Sequence, residues 1–306
     1  VVENDLFILN ASYLYLYSLH GDLKETRQLA YSKPILKSND YFALLYENGG
    51  TRFRVDRQSG NVYTKTMDQA IITGAISSTG VVALVTESDL YSCVLQIFDK
   101  NGKKLYTRNC IERLSDIAFN ADSTGCVFTE LSAADGDVTA TLKCIQFDTT
   151  DYTWESEPLT TLSLALSLTE NNHACVIGDT TCAYYDDKGN LESQYDYGGT
   201  LENYAVDAGN AAVLIRDEEK RETKLVIFPG SASEPIEIVV NGDAKAVQVY
   251  GDRVYMMNAE TVIAYNFSGK AVATVRLDST YDSFLKKDNY LFLLRYDKID
   301  RVDFKE

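Results

Sequence analysis

Apolar and polar residues alternate through most of the chain in short runs, as in Leu95, Ile97 and Leu105, and no stretch holds a helical spacing over three turns. A period of two marks strands that bury one face. One hairpin pattern recurs: a strand, a tight polar turn, then another strand. It is read at 13–29 (YLYLYSLHGDLKETRQL), 51–67, 93–109, 142–158, 182–197, 224–239 and 262–277, and an eighth copy begins at 298–304 (KIDRVDF). The turns fall at Gly21, Gly60, Gly102, Asp151, Gly189, Ser231 and Gly269, with successive spacings of 39, 42, 49, 38, 42 and 38 residues.

Two more strands precede each hairpin. One is apolar and often small, as at 70–77 (AIITGAIS), 114–120, 164–170 and 246–250. The next is strongly apolar, at 42–47 (FALLYE), 81–87 (VVALVTE), 125–130, 173–178, 211–216, 253–258 and 290–295 (YLFLLR). Short continuous apolar runs suit strands buried on both faces between neighbouring sheets. Four strands in about 40 residues make a propeller blade.

The chain therefore reads as all-β: one β-propeller domain over residues 1–306, with four-stranded antiparallel blades near 1–30, 31–69, 70–111, 112–160, 161–198, 199–241, 242–278 and 279–306. The ends are incomplete. Residues 5–29 supply three strands with no innermost one, and 281–304 stop before the outermost. Eight blades is the expected count, with seven as the alternative. The stretches 131–139 (LSAADGDVT) and 216–223 (RDEEKRET) read as irregular polar loops between second and third strands.

Composition narrows the functional classes. With 45 acidic against 29 basic residues the net charge is −16. That field repels phosphate backbones and anionic lipid, so no nucleic-acid partner is expected and membrane association would need a separate anchor. No apolar run is long enough to span a bilayer. The chain opens Val1-Val2-Glu3 without Met, as a trimmed or mature form would.

The six cysteines are the sharpest local signal, because each nearest pair sits within one hairpin. Directly opposed residues share a constant sum of positions, so Cys93 and Cys110 are expected to face each other across the Asn101-Gly102 turn. The same count opposes Cys126 to Cys144 about Asp135, and Cys175 to Cys182 about Gly178-Asp179. Facing cysteines on adjacent strands are candidate disulfides. Counting outward puts Cys93 and Cys110 at a non-hydrogen-bonded site, where side chains lie closest, and Cys175 and Cys182 at a hydrogen-bonded one. Buried thiols acting as small apolar residues are the alternative.

Catalytic chemistry finds little support. Only His20 and His173 are present, and no GxSxG nucleophile turn accompanies them. DKNGK (99–103) and DDKGN (186–190) lack the ligand ladder of a calcium loop and read as hairpin turns. No metal, cofactor-binding or catalytic residue is nominated, and no cofactor is expected. Distant acids converging on a propeller axis keep a hydrolase or lyase open as the second reading.

The segments 44–60 (LLYENGGTRFRVDRQSG), 71–87 (IITGAISSTGVVALVTE), 95–106 (LQIFDKNGKKLY) and 176–191 (VIGDTTCAYYDDKGNL) resemble the domain-of-unknown-function family numbered 5711. The resemblance runs over nearly the whole chain. It implies a propeller-like extracellular domain of a Gram-positive gut anaerobe, held to the cell surface by an N-terminal transmembrane helix that this chain does not contain. It implies no site residues. The resulting expectation is a monomeric binding or scaffolding module that offers one face to a protein or glycan.

Overall fold

The computed structural model describes residues 1–134, 136–230, 234–240, 244–296 and 298–304. The expected turn at Ser231 and the hairpin centre at Asp135 lie outside these residues. Among the described residues every regular element is a strand, and the strands form eight antiparallel sheets in chain order, the arrangement of an eight-bladed β-propeller. No helix among the described residues is long and apolar enough to cross a membrane.

The chain divides into two compact units, Val1–Thr160 and Thr161–Glu306. In the first unit, sheet 1 comprises Asp5–Leu9, Tyr13–Ser18 and Leu23–Gln28, and sheet 2 Pro34–Ser38, Ala43–Glu47, Arg52–Arg57 and Gly60–Thr66. Sheet 3 comprises Ile71–Ile76, Val82–Thr86, Cys93–Phe98 and Lys104–Cys110. Sheet 4 comprises Arg113–Phe119, Gly125–Ala134, Asp137–Gln146 and Tyr152–Glu155, with Leu159–Thr160 added beside its third strand.

In the second unit, sheet 5 is Ser163–Leu168, Ala174–Gly178, Thr181–Tyr185 and Leu191–Asp196, and sheet 6 is Thr200–Asp207, Asn210–Asp217, Glu222–Phe228 and Ile236–Val240. Sheet 7 is Ala246–Tyr250, Arg253–Met257, Thr261–Asn266 and Ala271–Arg276. Sheet 8 is Ser283–Lys287, Tyr290–Arg295 and Lys298–Asp303. Among the described residues sheet 1 has no first strand and sheet 8 no fourth.

The second strands explain the stacking. Successive side chains on a strand point to opposite faces. In sheet 3, Val82 and Leu84 pack with Leu44, Phe53 and Val55 of sheet 2, while Ala83 and Val85 pack with Ile117, Phe128 and Ile145 of sheet 4. Sheet 6 repeats the device: Ala211, Val213 and Ile215 join the sheet 5 side, and Ala212 and Leu214 the sheet 7 side. In sheet 7, Val254 and Met256 face one neighbour and Tyr255 and Met257 the other. A run that looks uniformly apolar in sequence is two half-cores interleaved.

Turn chemistry sets where each hairpin ends. In four third-to-fourth turns the N–H of Ser18, Asp99, Asp186 or Asn266 donates to the carbonyl four residues on, and a glycine three residues on donates back. Those glycines, Gly21, Gly102, Gly189 and Gly269, have φ of 97, 80, 82 and 78°, where a Cβ is strained. The opening side chain caps the turn: Asp186 Oδ1 accepts from the N–H of Lys188 at 2.9 Å and of Asn190 at 2.8 Å. Asn266 Oδ1 accepts equivalently from Ser268 and Lys270. Ahead of each such turn the ladder shifts register by a bulge, as between Tyr184 and Tyr185.

Burial at the interleaved strands has a measurable consequence. Leu214→Ala is expected to lower unfolding free energy by about 2–5 kcal/mol. Leu191→Ala, on an exposed fourth strand, is expected to stay within about 0.5 kcal/mol of wild type. Denaturant melts check both, and equal costs would contradict the packing.

The Asp186 cap gives a pH signature. Hydrogen bonds from the Asn190 side chain and backbone hold its carboxyl below the usual aspartate range. The folded value therefore lies below the unfolded one. Its stabilisation is present above the ordinary aspartate range and is lost as pH falls through the folded value. Thermal melts from pH 7 to pH 2 are expected to show the advantage of wild type over Asp186→Asn shrinking with acid. A difference independent of pH would reject the charged cap.

Candidate interaction surface

In a four-stranded antiparallel sheet, the second-to-third connection and the link to the next sheet leave at the same end. In sheet 3 that end carries the loop Glu87–Ser92 and the link Ile111–Glu112. Ser88 Oγ accepts from the N–H groups of Leu90 and Tyr91, both at 3.2 Å, and shapes the loop. The Gln69 amide donates to Asp89 Oδ2 at 3.2 Å, and Ser92 Oγ donates to the Ile111 carbonyl at 2.6 Å, joining loop to link. The result is apolar exposure: Leu90 is 87%, Ile111 76% and Tyr91 43% accessible. Grouped apolar side chains held in water mark interaction surfaces. Ile111 carries a single signal in the sequence, an apolar residue in a link between two strands.

The neighbouring second-to-third connection corrects one expectation. Residues 131–134 and 137–139 are strand and not irregular loop. The second and third strands of sheet 4 pair continuously through Leu131↔Ala140, Ala133↔Val138 and Ala134↔Asp137. Leu159 and Thr160 pair with Ala140 and Thr139 to brace this extension. The stretch 216–223 likewise pairs through Arg216↔Thr223 and Asp217↔Glu222, leaving only a short tip. In both, alternating side chains let the ladder continue where polarity suggested a break.

All six cysteines are free thiols in the structure, and only one expected pair is directly opposed. Cys93 faces Cys110 across the third and fourth strands of sheet 3. Cys126 faces Ile145 while Cys144 faces Val127, so those two occupy opposite faces of sheet 4. The two strands pair one residue out of the expected register, and one residue reverses the face. Cys175 faces Tyr184 and Cys182 faces Ile177, because the connecting turn is Asp179-Thr180. That pair is diagonal, not opposed. Burial raises the Cys126 and Cys182 thiols, keeping both protonated.

Buried charges are tied into ion pairs. Arg27 donates to Asp56 Oδ2 at 3.1 Å and to Glu25 Oε2 at 2.8 Å, while Arg54 donates to Asp56 Oδ1 at 2.8 Å. Lys143 binds Glu130 at 2.7 Å, and Arg108 lies 3.8 Å over the Tyr152 ring beside them. Asp5 pairs with Lys24. The buried carboxylates Asp5, Asp56 and Glu130 thus serve as structural partners, and none lies on the first strand of a sheet. His173 Nδ1 lies 3.0 Å from Glu192 Oε2, and the His20 N–H caps on Ser18 Oγ at 3.2 Å. Among the described residues no group of three or more His, Cys, Asp or Glu side chains could hold a metal ion.

Comparison with solved structures shows the same architecture at low identity. The computationally designed Ika8 protein aligns with 100% of this chain and 94% of its own, at 16% identity and a TM-score of 0.73. BamB from Moraxella catarrhalis covers 100% of this chain and 95% of its own, at 12% identity and 0.60. Saccharomyces cerevisiae Sqt1 covers 96% of each, at 10% identity and 0.62. Such likeness carries the fold alone. None of the curated proteins matches the sequence. Residues 2–304 match the model of a family of unknown function, DUF5711, and the chain belongs to that family.

Proposed function

We propose that this protein is a non-catalytic binding or scaffolding propeller, displayed outside the cell, that takes a protein or glycan partner at the Leu90–Tyr91–Ile111 end of sheet 3. The exposed apolar cluster carries this reading. Leu90 and Ile111 stay in water although the loop and link that bear them are held by Ser88 and Ser92. A rigid apolar surface gains the hydrophobic term on binding without much ordering cost. The extended hairpin of sheet 4, with Val138 exposed, supplies a flank at the corresponding end of that sheet. The buried carboxylates Asp5, Asp56 and Glu130 are held in ion pairs, which removes those three as candidate acids for a hydrolytic reading. The extracellular setting rests on the family resemblance.

The test uses the purified chain against a glycan array and against intact cell surfaces with chemical crosslinking. The double variant Leu90→Glu/Ile111→Glu is expected to keep the wild-type melting curve and lose at least tenfold in captured partner. Undiminished capture would reject this surface. Cleavage of a glycan or peptide by the wild-type chain would reject the non-catalytic assignment.

A further inference from the structure

We propose that Cys93 and Cys110 form a dithiol–disulfide pair, closed by exchange with a small-molecule disulfide such as oxidised glutathione. This goes beyond the binding role and does not depend on it.

Three observations carry the proposal. The first is register. Cys93 and Cys110 are direct partners on adjacent antiparallel strands, the placement that brings Cβ atoms within disulfide reach. The other two sequence-nominated pairs fail this condition, one by face and one by a diagonal offset.

The second is position. Cys93 is the first residue of its strand and Cys110 the last of its own. Both sulfurs are buried, yet Ser92 and the exposed Ile111 come next along the chain. Local opening of this one last strand pair, with the Ser92 hydrogen bonds to Cys110 and Ile111 broken, admits a small oxidant without opening the sheet. Beyond Cys110 the ladder is held by the Ser92 N–H to the Cys110 carbonyl at 3.1 Å and by the Ser92 hydroxyl to Ile111.

The third is chemical asymmetry. The Cys110 thiol lies within hydrogen-bonding reach of Cys93, and with the backbone of Leu114 and the Arg113 charge it holds Cys93 below the ordinary thiol range. Cys110 is raised in turn by the same sulfur and by burial. One member attacks and the other resolves.

The steps balance. Cys93 thiolate attacks one sulfur of the oxidant RS–SR and expels RS⁻, leaving a mixed disulfide. Cys110 gives its proton to water and attacks Cys93 Sγ, expelling the second RS⁻. Two protein thiols become one disulfide, and the oxidant takes up two electrons and two protons as two RSH. The closed ring spans Val94–Asn109 and ties together the strand ends from which the Glu87–Ser92 loop and the Ile111 link emerge.

The experiment incubates the chain, both folded and refolded, in glutathione buffers running from fully reduced to fully oxidised. Acid quenching, alkylation and peptide mass spectrometry follow. The expected result is loss of two of the six thiols and a crosslinked peptide joining Cys93 to Cys110. Oxidation is expected to raise the melting temperature on the order of 5 °C. That shift should vanish in Cys93→Ser and in Cys110→Ser and persist in Cys175→Ser. Wild-type peptide mapping stands even if a serine variant folds poorly. Six free thiols in every buffer, or a dominant crosslink through other cysteines, would overturn the assignment.

Discussion

The second strands of sheets 3, 6 and 7 are apolar on both faces and are satisfied by a neighbour on either side. Leu84 and Val85 are adjacent in sequence yet belong to different cores, one shared with sheet 2 and the other with sheet 4. At about 25 cal/mol per Å² of apolar area removed from water, one such strand left bare would cost more than a single sheet can recover. A sheet of this kind has no stable existence alone, and stacking is the means by which the chain folds at all. The repeat is a consequence of that requirement.

Outside the second and third strands the chain is freer, and the chemistry is placed accordingly. The fourth strands of sheets 5 and 7 alternate exposed and half-buried residues after their first positions, and Leu23, Leu105 and Leu191 lie open near the starts of their strands. Four of the third-to-fourth turns are fixed by a side-chain cap and a glycine. At the opposite end, sheet 3 combines a capped loop, an exposed Ile111 and the opposed Cys93 and Cys110. A rigid frame with variable connections is a common arrangement for recognition. The −16 net charge adds a bias against anionic partners.

The fold was legible because its determinants are local and periodic. Glycines at turns, β-branched and aromatic alternation, and apolar second strands recur about every 40 residues, and these are the features that fix an antiparallel blade. The eight-sheet count followed from the incomplete ends, and the structure has it. Cysteine register was legible only where the turn was centred as assumed. The Cys93–Cys110 sum survived, whereas a one-residue offset separated Cys126 from Cys144 onto opposite faces. Polarity misled at 131–139, where backbone pairing and the Leu159–Thr160 brace outweigh hydrophilic side chains. The Arg27–Asp56 pair and the exposure of Ile111 depend on which strands become neighbours, which no local pattern encodes.

Hydrogen exchange resolved to individual amides tests the interleaved second strands most directly. Val82–Thr86, Ala174–Gly178 and Arg253–Met257 are expected to exchange last in their sheets, with the fourth strands Lys104–Cys110, Leu191–Asp196 and Ala271–Arg276 exchanging earlier. Equal protection across all four strands, or slower exchange in the fourth, would contradict the account.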